Sequence, residues 1–285
     1  MHDLITWTSL AILIAGFFSG ILAGVLGVGG AVLTTPFIRF LGASPIASVG
    51  STVPAILPGA FSGAIRYHRA RLVDWRVACT CGLSGMAFAA LGGWVADIVD
   101  ARWLMVVTAL LVMWSGIHLF RAGHGDAPIV DDEPVALDGQ PGLDDLGFVD
   151  AAAQGPRGST RRASFPLLVG MGMVAGFLAG LLGIGGGIVL TPGLTLVVRL
   201  PVKRAIATSL AAVAMMSTTA LATHIALGHV SWRFALPLAA GVVPGVQVGA
   251  RITIAASDRA TRVACGALLM VLSVIYLVSE LAHIF

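Results

Sequence analysis

Two glycine clusters, GVGG at 27–30 and GIGGG at 183–187, are too dense in glycine for a continuous helix and favour a break with unusual backbone angles. A new helix is expected to start near Ala31 after the first cluster and near Ile188 after the second, with its first amide N–H groups unpaired. In apolar surroundings such donors must face protein or a polar cavity. A helix start also carries partial positive charge, which suits an anion. The chemistry read here is recognition of a small oxyanion by Gly29, Gly30 and Ala31 on one side and Gly185, Gly186 and Gly187 on the other. The alternative is that glycine serves only close helix crossing. That is the expected role of Gly20, Gly24, Gly176 and Gly180, whose spacing suits it, whereas consecutive glycines exceed what packing requires.

Hydroxyls follow each cluster. Ser51-Thr52 and Thr208-Ser209 lie about two turns into the next predicted helix and are candidate donors to oxyanion oxygens. The competing reading is back-bonding to their own helix, which membrane helices often use. Thr35 and Thr191, each just before a proline, are expected to satisfy carbonyls that Pro36 and Pro192 leave free. His224 is a candidate proton carrier or a structural histidine, and His68 is read the same way in its loop. Gln247 is the one amide in an apolar run and faces either a pathway or a neighbouring helix.

These residues must be positioned by a duplicated framework. The stretch at 20–36, GILAGVLGVGGAVLTTP, returns 156 residues later at 176–192 as GFLAGLLGIGGGIVLTP, with ten of the 17 positions identical. Pro45 matches Pro201; after a one-residue insertion Ser51-Thr52 matches Thr208-Ser209, Trp75-Arg76 matches Trp232-Arg233 and Gly92 matches Gly249. Apolar runs of membrane-crossing length, about 20 residues, recur near 45–66, 76–97, 103–121, 205–227, 234–253 and 263–283. The opening pairs (4–26 with 28–41, 166–182 with 188–198) either cross twice or form re-entrant hairpins. As a helix, 27–41 reaches only about 22 Å of a hydrocarbon core roughly 30 Å thick. Each half then crosses an odd number of times, so the second is expected to be inverted relative to the first. Residues 4–26 have no basic leader and are expected to be a retained span rather than a cleaved signal peptide.

Charge sets the expected orientation. Of 17 basic residues, four lie at 66–76, three at 199–204, three at 251–262 and four in the central segment (Arg121, Arg157, Arg161, Arg162). One threading places these in the cytoplasm and leaves Arg39, Arg102 and Arg233 outside, with both termini outside. Residues 122–164 hold eight of the 14 carboxylates and read as a solvated, largely disordered cytoplasmic linker between membrane repeats at 1–121 and 165–285.

Composition narrows the class. Hydrophobic residues make up 57% and charged residues 11% of the chain, and the mean hydropathy is +0.94, so an all-α membrane protein is expected. The basic residues form no stripe for nucleic acid. Cys79, Cys81 and Cys265 have no metal-ligand spacing and read as packing residues, so neither a metal nor a cofactor is expected. No carboxylate lies well inside a predicted crossing, which disfavours a cation cargo. The only lysine is Lys203, so no nucleotide-binding P-loop exists, and no nucleophile or metal motif suggests an enzyme.

The repeated glycine motif closing on Thr-Pro, the element from Ala205 to Ser209 with its looser copy from Ala47 to Thr52, and the two-half layout resemble the TauE/SafE sulfite exporter family. The resemblance spans about 10–121 and 166–283. It implies movement of small sulfur-containing anions, such as sulfite, sulfoacetate and other organosulfonates, across the bacterial inner membrane, usually outward. The first copy departs from it in having Ala31 where the second has Gly187, and Ser-Thr where the second has Thr-Ser. A monoanion leaving a negative-inside cell gains about 2.3 kcal/mol per 100 mV, so such efflux needs no ATP. The partners expected are therefore the anion and the lipid bilayer, with a homodimer left open. Two rival readings stand beside this one: an inverted-repeat metabolite or drug carrier with an apolar cavity, and a membrane scaffold that moves nothing.

Overall fold

The computed structural model describes residues 2–28, 34–35, 37–38, 44–99, 101–124 and 164–284. Every regular element among them is a helix. The first half supplies α1 (His2–Leu26), α2 (Pro45–Arg69), α3 (Trp75–Ile98) and α4 (Ala101–His124). The second supplies α5 (Phe165–Leu182), α6 (Gly187–Leu196), α7 (Val202–Ala226), α8 (Trp232–Ala255) and α9 (Asp258–Ile284). Gly29, Gly30 and Ala31, and residues 125–163 of the acidic segment, lie outside the described residues.

Local sequence explains where these helices begin and end. The Ser44 hydroxyl accepts from the Ala47 amide at 3.4 Å, with Pro45 in the first turn of α2. Asp74 caps α3 by accepting from the Val77 amide at 3.2 Å. At the other end, α1 and α5 close on matching glycines in the left-handed region, Gly27 at φ +74° and Gly183 at φ +64°.

Six described helical stretches are long and apolar enough to cross a membrane: Trp7–Leu26, Ile46–Arg69, Trp75–Ile98, Phe165–Leu182, Val202–Ala226 and Trp232–Ala255. Four of the runs read from sequence, 45–66, 76–97, 205–227 and 234–253, are among them; those at 103–121 and 263–283 fall on α4 and α9, which are not. In contrast α6 has 10 residues, a reach of about 15 Å, and cannot cross alone. Large apolar side chains, among them Trp7, Phe18, Phe61, Leu83, Trp94 and Leu236, point outward and stay exposed, as a lipid-facing surface requires. Inside, α7 is buried around its whole circumference from Ala205 to Ala214.

Packing is exchanged between the halves. α1 lies chiefly against α8, and α5 chiefly against α3. Gly16, Gly20 and Gly24 face Leu238, Val242 and Val246 in that order, so α1 and α8 run the same way. Gly172, Gly176 and Gly180 face Cys81, Gly85 and Ala89 in order, so α5 runs with α3. A Cβ on Gly20, Gly176 or Gly180 would overlap a backbone carbonyl of the partner helix. These are the crossings that small residues permit. α2 runs along α8, with Gly59 and Gly63 on Val242 and Val246. α3 turns back after the short loop at 70–74 and runs along α7, with Gly82 on Met215 and Gly93 on Thr223.

One expectation needs correction. Pro192 deprives the Ile188 carbonyl of its helical donor, and Thr191 was the expected substitute. Instead Ser115, buried on α4, donates to Ile188 at 3.0 Å, while Thr191 reaches the Leu26 carbonyl of the other half at 3.3 Å. The freed carbonyl is met from the neighbouring α4, while the Thr191 hydroxyl is engaged with Leu26 O and the Ser209 hydroxyl. Ser115→Ala therefore strands a buried acceptor and is expected to cost about 1–3 kcal/mol. A falling unfolding midpoint in detergent checks this; an unchanged midpoint removes the role assigned to Ser115.

Candidate functional site

The second glycine turn is the best-defined part of the candidate site. Gly183, Gly185 and Gly186 all take left-handed φ values, +64°, +82° and +68°, which only glycine adopts without strain. They swing the chain from the end of α5 into α6, whose first residue is Gly187, one residue before the start expected from sequence. The whole turn is buried. Val189 and Leu190 donate to the Gly186 carbonyl, at 3.2 and 3.1 Å. The N–H groups of Gly187 and Ile188 find no acceptor among the described residues. Two buried amides at the positive end of a helix are the donors that an anion would take.

This turn meets the first half's turn directly. A Cβ on Gly187 would overlap the Gly27 carbonyl, and one on Gly185 would stand 3.3 Å from the Val28 carbonyl oxygen. Gly185 also lies close to the side chains of Val213 and Ile56, so the floor of the turn is apolar. Gly29, Gly30 and Ala31 follow in the sequence and lie outside the described residues.

The four hydroxyls divide into two pairs with different tasks, and all four residues are fully buried. Thr52 donates to Val49 O at 2.7 Å and lies 3.2 Å from Gly183 O. Its repeat partner Ser209 lies 3.1 Å from Gly27 O, 2.9 Å from Ile206 O and 2.9 Å from the Thr191 hydroxyl. Each half thus sends one hydroxyl to the glycine turn of the other, because α2 and α7 pass beside the opposite turn. Back-bonding and reaching across occur together, each hydroxyl lying within reach of an own-helix carbonyl and of the foreign one. Ser51 and Thr208 do not reach the turns. Ser51 Oγ accepts from the Ser231 amide at 2.9 Å, ahead of α8, and Thr208 Oγ1 accepts from the Asp74 amide at 3.1 Å, ahead of α3. Asp74 and Ser231 are themselves repeat equivalents, so this second exchange is reciprocal as well.

Gln247 faces a neighbouring helix: its amide nitrogen donates to Ser62 O at 3.0 Å and to the Ser62 hydroxyl at 2.6 Å. His68 accepts at Nδ1 from the Trp75 indole at 3.0 Å and serves the loop. Cys81 and Cys265 are buried with their thiols on the carbonyls of Leu168 and Val25, each at 3.3 Å. His224 sits apart from the turns by side chain, yet its ring contacts Gly180 O at 3.0 Å, three residues before Gly183. Sequence reasoning missed its neighbours His229 and Asp97. The available signal was the repeat comparison, which sets polar His229 against Leu72 and Asp97 against Ile254.

The family described as sulfite exporter TauE/SafE matches residues 12–276. The chain is similar to a probable membrane transporter protein of Methanocaldococcus jannaschii, 24% identical over 93% of this chain and 94% of that one. It is also similar to one of Bacillus subtilis, 25% identical over 85% and 87% of the two chains, and to one of Xylella fastidiosa, 25% identical over 82% and 81%. No solved structure gives a significant match.

Proposed function

Because this chain belongs to the TauE/SafE sulfite exporter family and is a membrane transporter rather than an enzyme, we propose that it is a secondary carrier of small sulfur-containing oxyanions. The observation that carries this reading is the buried turn at 183–187, where the Gly187 and Ile188 amides open a helix without acceptors among the described residues. An oxyanion supplies several acceptors at once and neutralises the helix end. Gly185, Gly186 and Gly187 would form one side of the cradle, and Gly29, Gly30 and Ala31 of the matching motif the other. In this reading Thr52 and Ser209 hold the two turns together between transport events, and are the hydroxyls near enough to turn toward a guest. Ser51 and Thr208 fix the loops before α8 and α3 instead.

The transport cycle we infer is alternating access between inverted halves. Its support is the order of contacts along the helices. α1, α2 and α8 share one direction while α3, α5 and α7 share the other, so helices equivalent by repeat point oppositely. Exchanged packing lets one group rock against the other around the paired turns. With the basic loops inside, the membrane potential favours outward movement of an anion.

The test is flux from vesicles reconstituted with the full chain, offered sulfite, sulfate, thiosulfate, sulfoacetate and simple carboxylates in turn. Saturable flux of a sulfur oxyanion, with carboxylates slower, is the expected result. Flux of uncharged or cationic solutes alone would overturn the anion reading, and no flux of any solute would return the scaffold reading.

A further inference from the structure

A chain of three titratable side chains ends in the bundle at His224. His224 is fully buried on α7, and its Nε2 lies 3.0 Å from Gly180 O on α5. Its Nδ1 lies 3.2 Å from Nδ1 of His229, in the loop before α8. His229 Nε2 in turn lies 2.9 Å from Asp97 Oδ1, near the end of α3. The Asp97 side chain is 51% exposed and that of His229 only 8%, so water reaches the chain at the carboxylate.

Hydrogen counting gives what three closed links require. Gly180 O only accepts, so His224 Nε2 must carry a hydrogen. The two Nδ1 atoms need one hydrogen between them, and His229 Nε2 with Asp97 Oδ1 needs another. Three hydrogens complete the chain. Two neutral imidazoles and a carboxylate supply only two, so closing all three links takes one further proton from water. It makes one imidazolium, balanced by Asp97. When it leaves, either two Nδ1 lone pairs face each other or an Nε2 lone pair faces a carboxylate, and one link opens.

The first half shows that packing alone does not demand this arrangement. By repeat, His224 corresponds to Tyr67 and Gly180 to Gly24. The Tyr67 hydroxyl donates to Gly24 O at 2.7 Å, so the same helix carbonyl is met by a phenol that keeps its hydrogen through the physiological range. Even the backbone repeats: Leu72 N donates to Tyr67 O at 3.1 Å, and His229 N to His224 O at 3.0 Å. Leu72 stands where the second half has His229, and Ile254 where the first has Asp97. The two halves therefore differ at this one task by a titratable chain.

We propose that His224, His229 and Asp97 form a proton-binding site that ties the ends of α3, α5 and α7 together while the third hydrogen is held. This deepens the carrier reading by giving it a coupling ion, the proton, bound beside the glycine turn of the second half. The groups facing the pair are few among the described residues. α3 brings Asp97 and Gly93, α5 the Gly180 carbonyl, α7 Thr223, and α2 Gly50 against His229, so Asp97 is the one carboxylate in contact. No group of three such side chains among the described residues is placed to hold a metal.

The test is ring-nitrogen NMR of the full chain in lipid nanodiscs, labelled with 15N-histidine, from pH 5 to 8. Single substitutions of His224 and His229 assign the signals. One imidazolium is expected in the pair at the acid end and none at the alkaline end, with His224 keeping its Nε2 hydrogen. Asp97→Asn, whose amide can donate to a neutral His229, is expected to lower that midpoint by about one pH unit or more. A pair that stays neutral throughout, or a midpoint equal in the wild type and Asp97→Asn, overturns the proposal. The spectrum needs no cargo, so it is read independently of whether the chain carries an anion.

Discussion

Gly180→Leu is expected to yield little folded protein, whereas Gly170→Leu on the same helix is tolerated. A Cβ at Gly180 would overlap the Ala89 carbonyl and press on the Gly93 amide, while one at Gly170 meets nothing within 4 Å. Backbone cannot rotate away as a side chain can, so α5 and α3 must part along their length. Overpacking a core typically costs roughly 1–3 kcal/mol, and a full leucine against backbone lies at or beyond that limit. An open, lipid-facing position changes by about 0.5 kcal/mol or less. Size-exclusion profiles and unfolding midpoints of the two variants decide it. Equal behaviour would mean that α5 does not seat on α3 as described.

Gly186→Ala is expected to reach the membrane and lose anion flux, whereas Gly228→Ala keeps it. Both glycines are left-handed, at φ +68° and +71°, so the backbone cost of a Cβ is shared, roughly 1–2 kcal/mol. Only Gly186 is also crowded: its Cβ would overlap the Ala175 carbonyl and displace the start of α6, while Gly228 has nothing within 4 Å. Since about 1.4 kcal/mol is tenfold, flux through Gly186→Ala should fall at least about tenfold at equal protein per vesicle. Flux unchanged from wild type would remove the second glycine turn from the pathway.

The duplication, the helices and the glycine breaks were legible because each rests on local rules: apolar run length, glycine density and self-similarity. The opposition of the two halves is expected from counting crossings and belongs to the carrier proposed above. What sequence could not provide was the partner of each polar group. Thr191 was matched with its own helix, yet it bonds the far half, and Ser115 does the work expected of it. Ser51 and Thr52 looked like one unit, but adjacent helical residues point about 100° apart, and only Thr52 faces the foreign turn. Asp97 and His229 are 132 residues apart in the chain. Their meeting depends on α3 and α7 lying side by side, which no local pattern announces.

The crossed hydroxyls of Thr52 and Ser209 make the two halves depend on each other. A lone copy of this unit would present a bent glycine corner whose carbonyl lacks its visiting hydroxyl, and a hydroxyl with no foreign corner to visit. Each half therefore completes its corner only through the other, and the two are expected to fold as one unit.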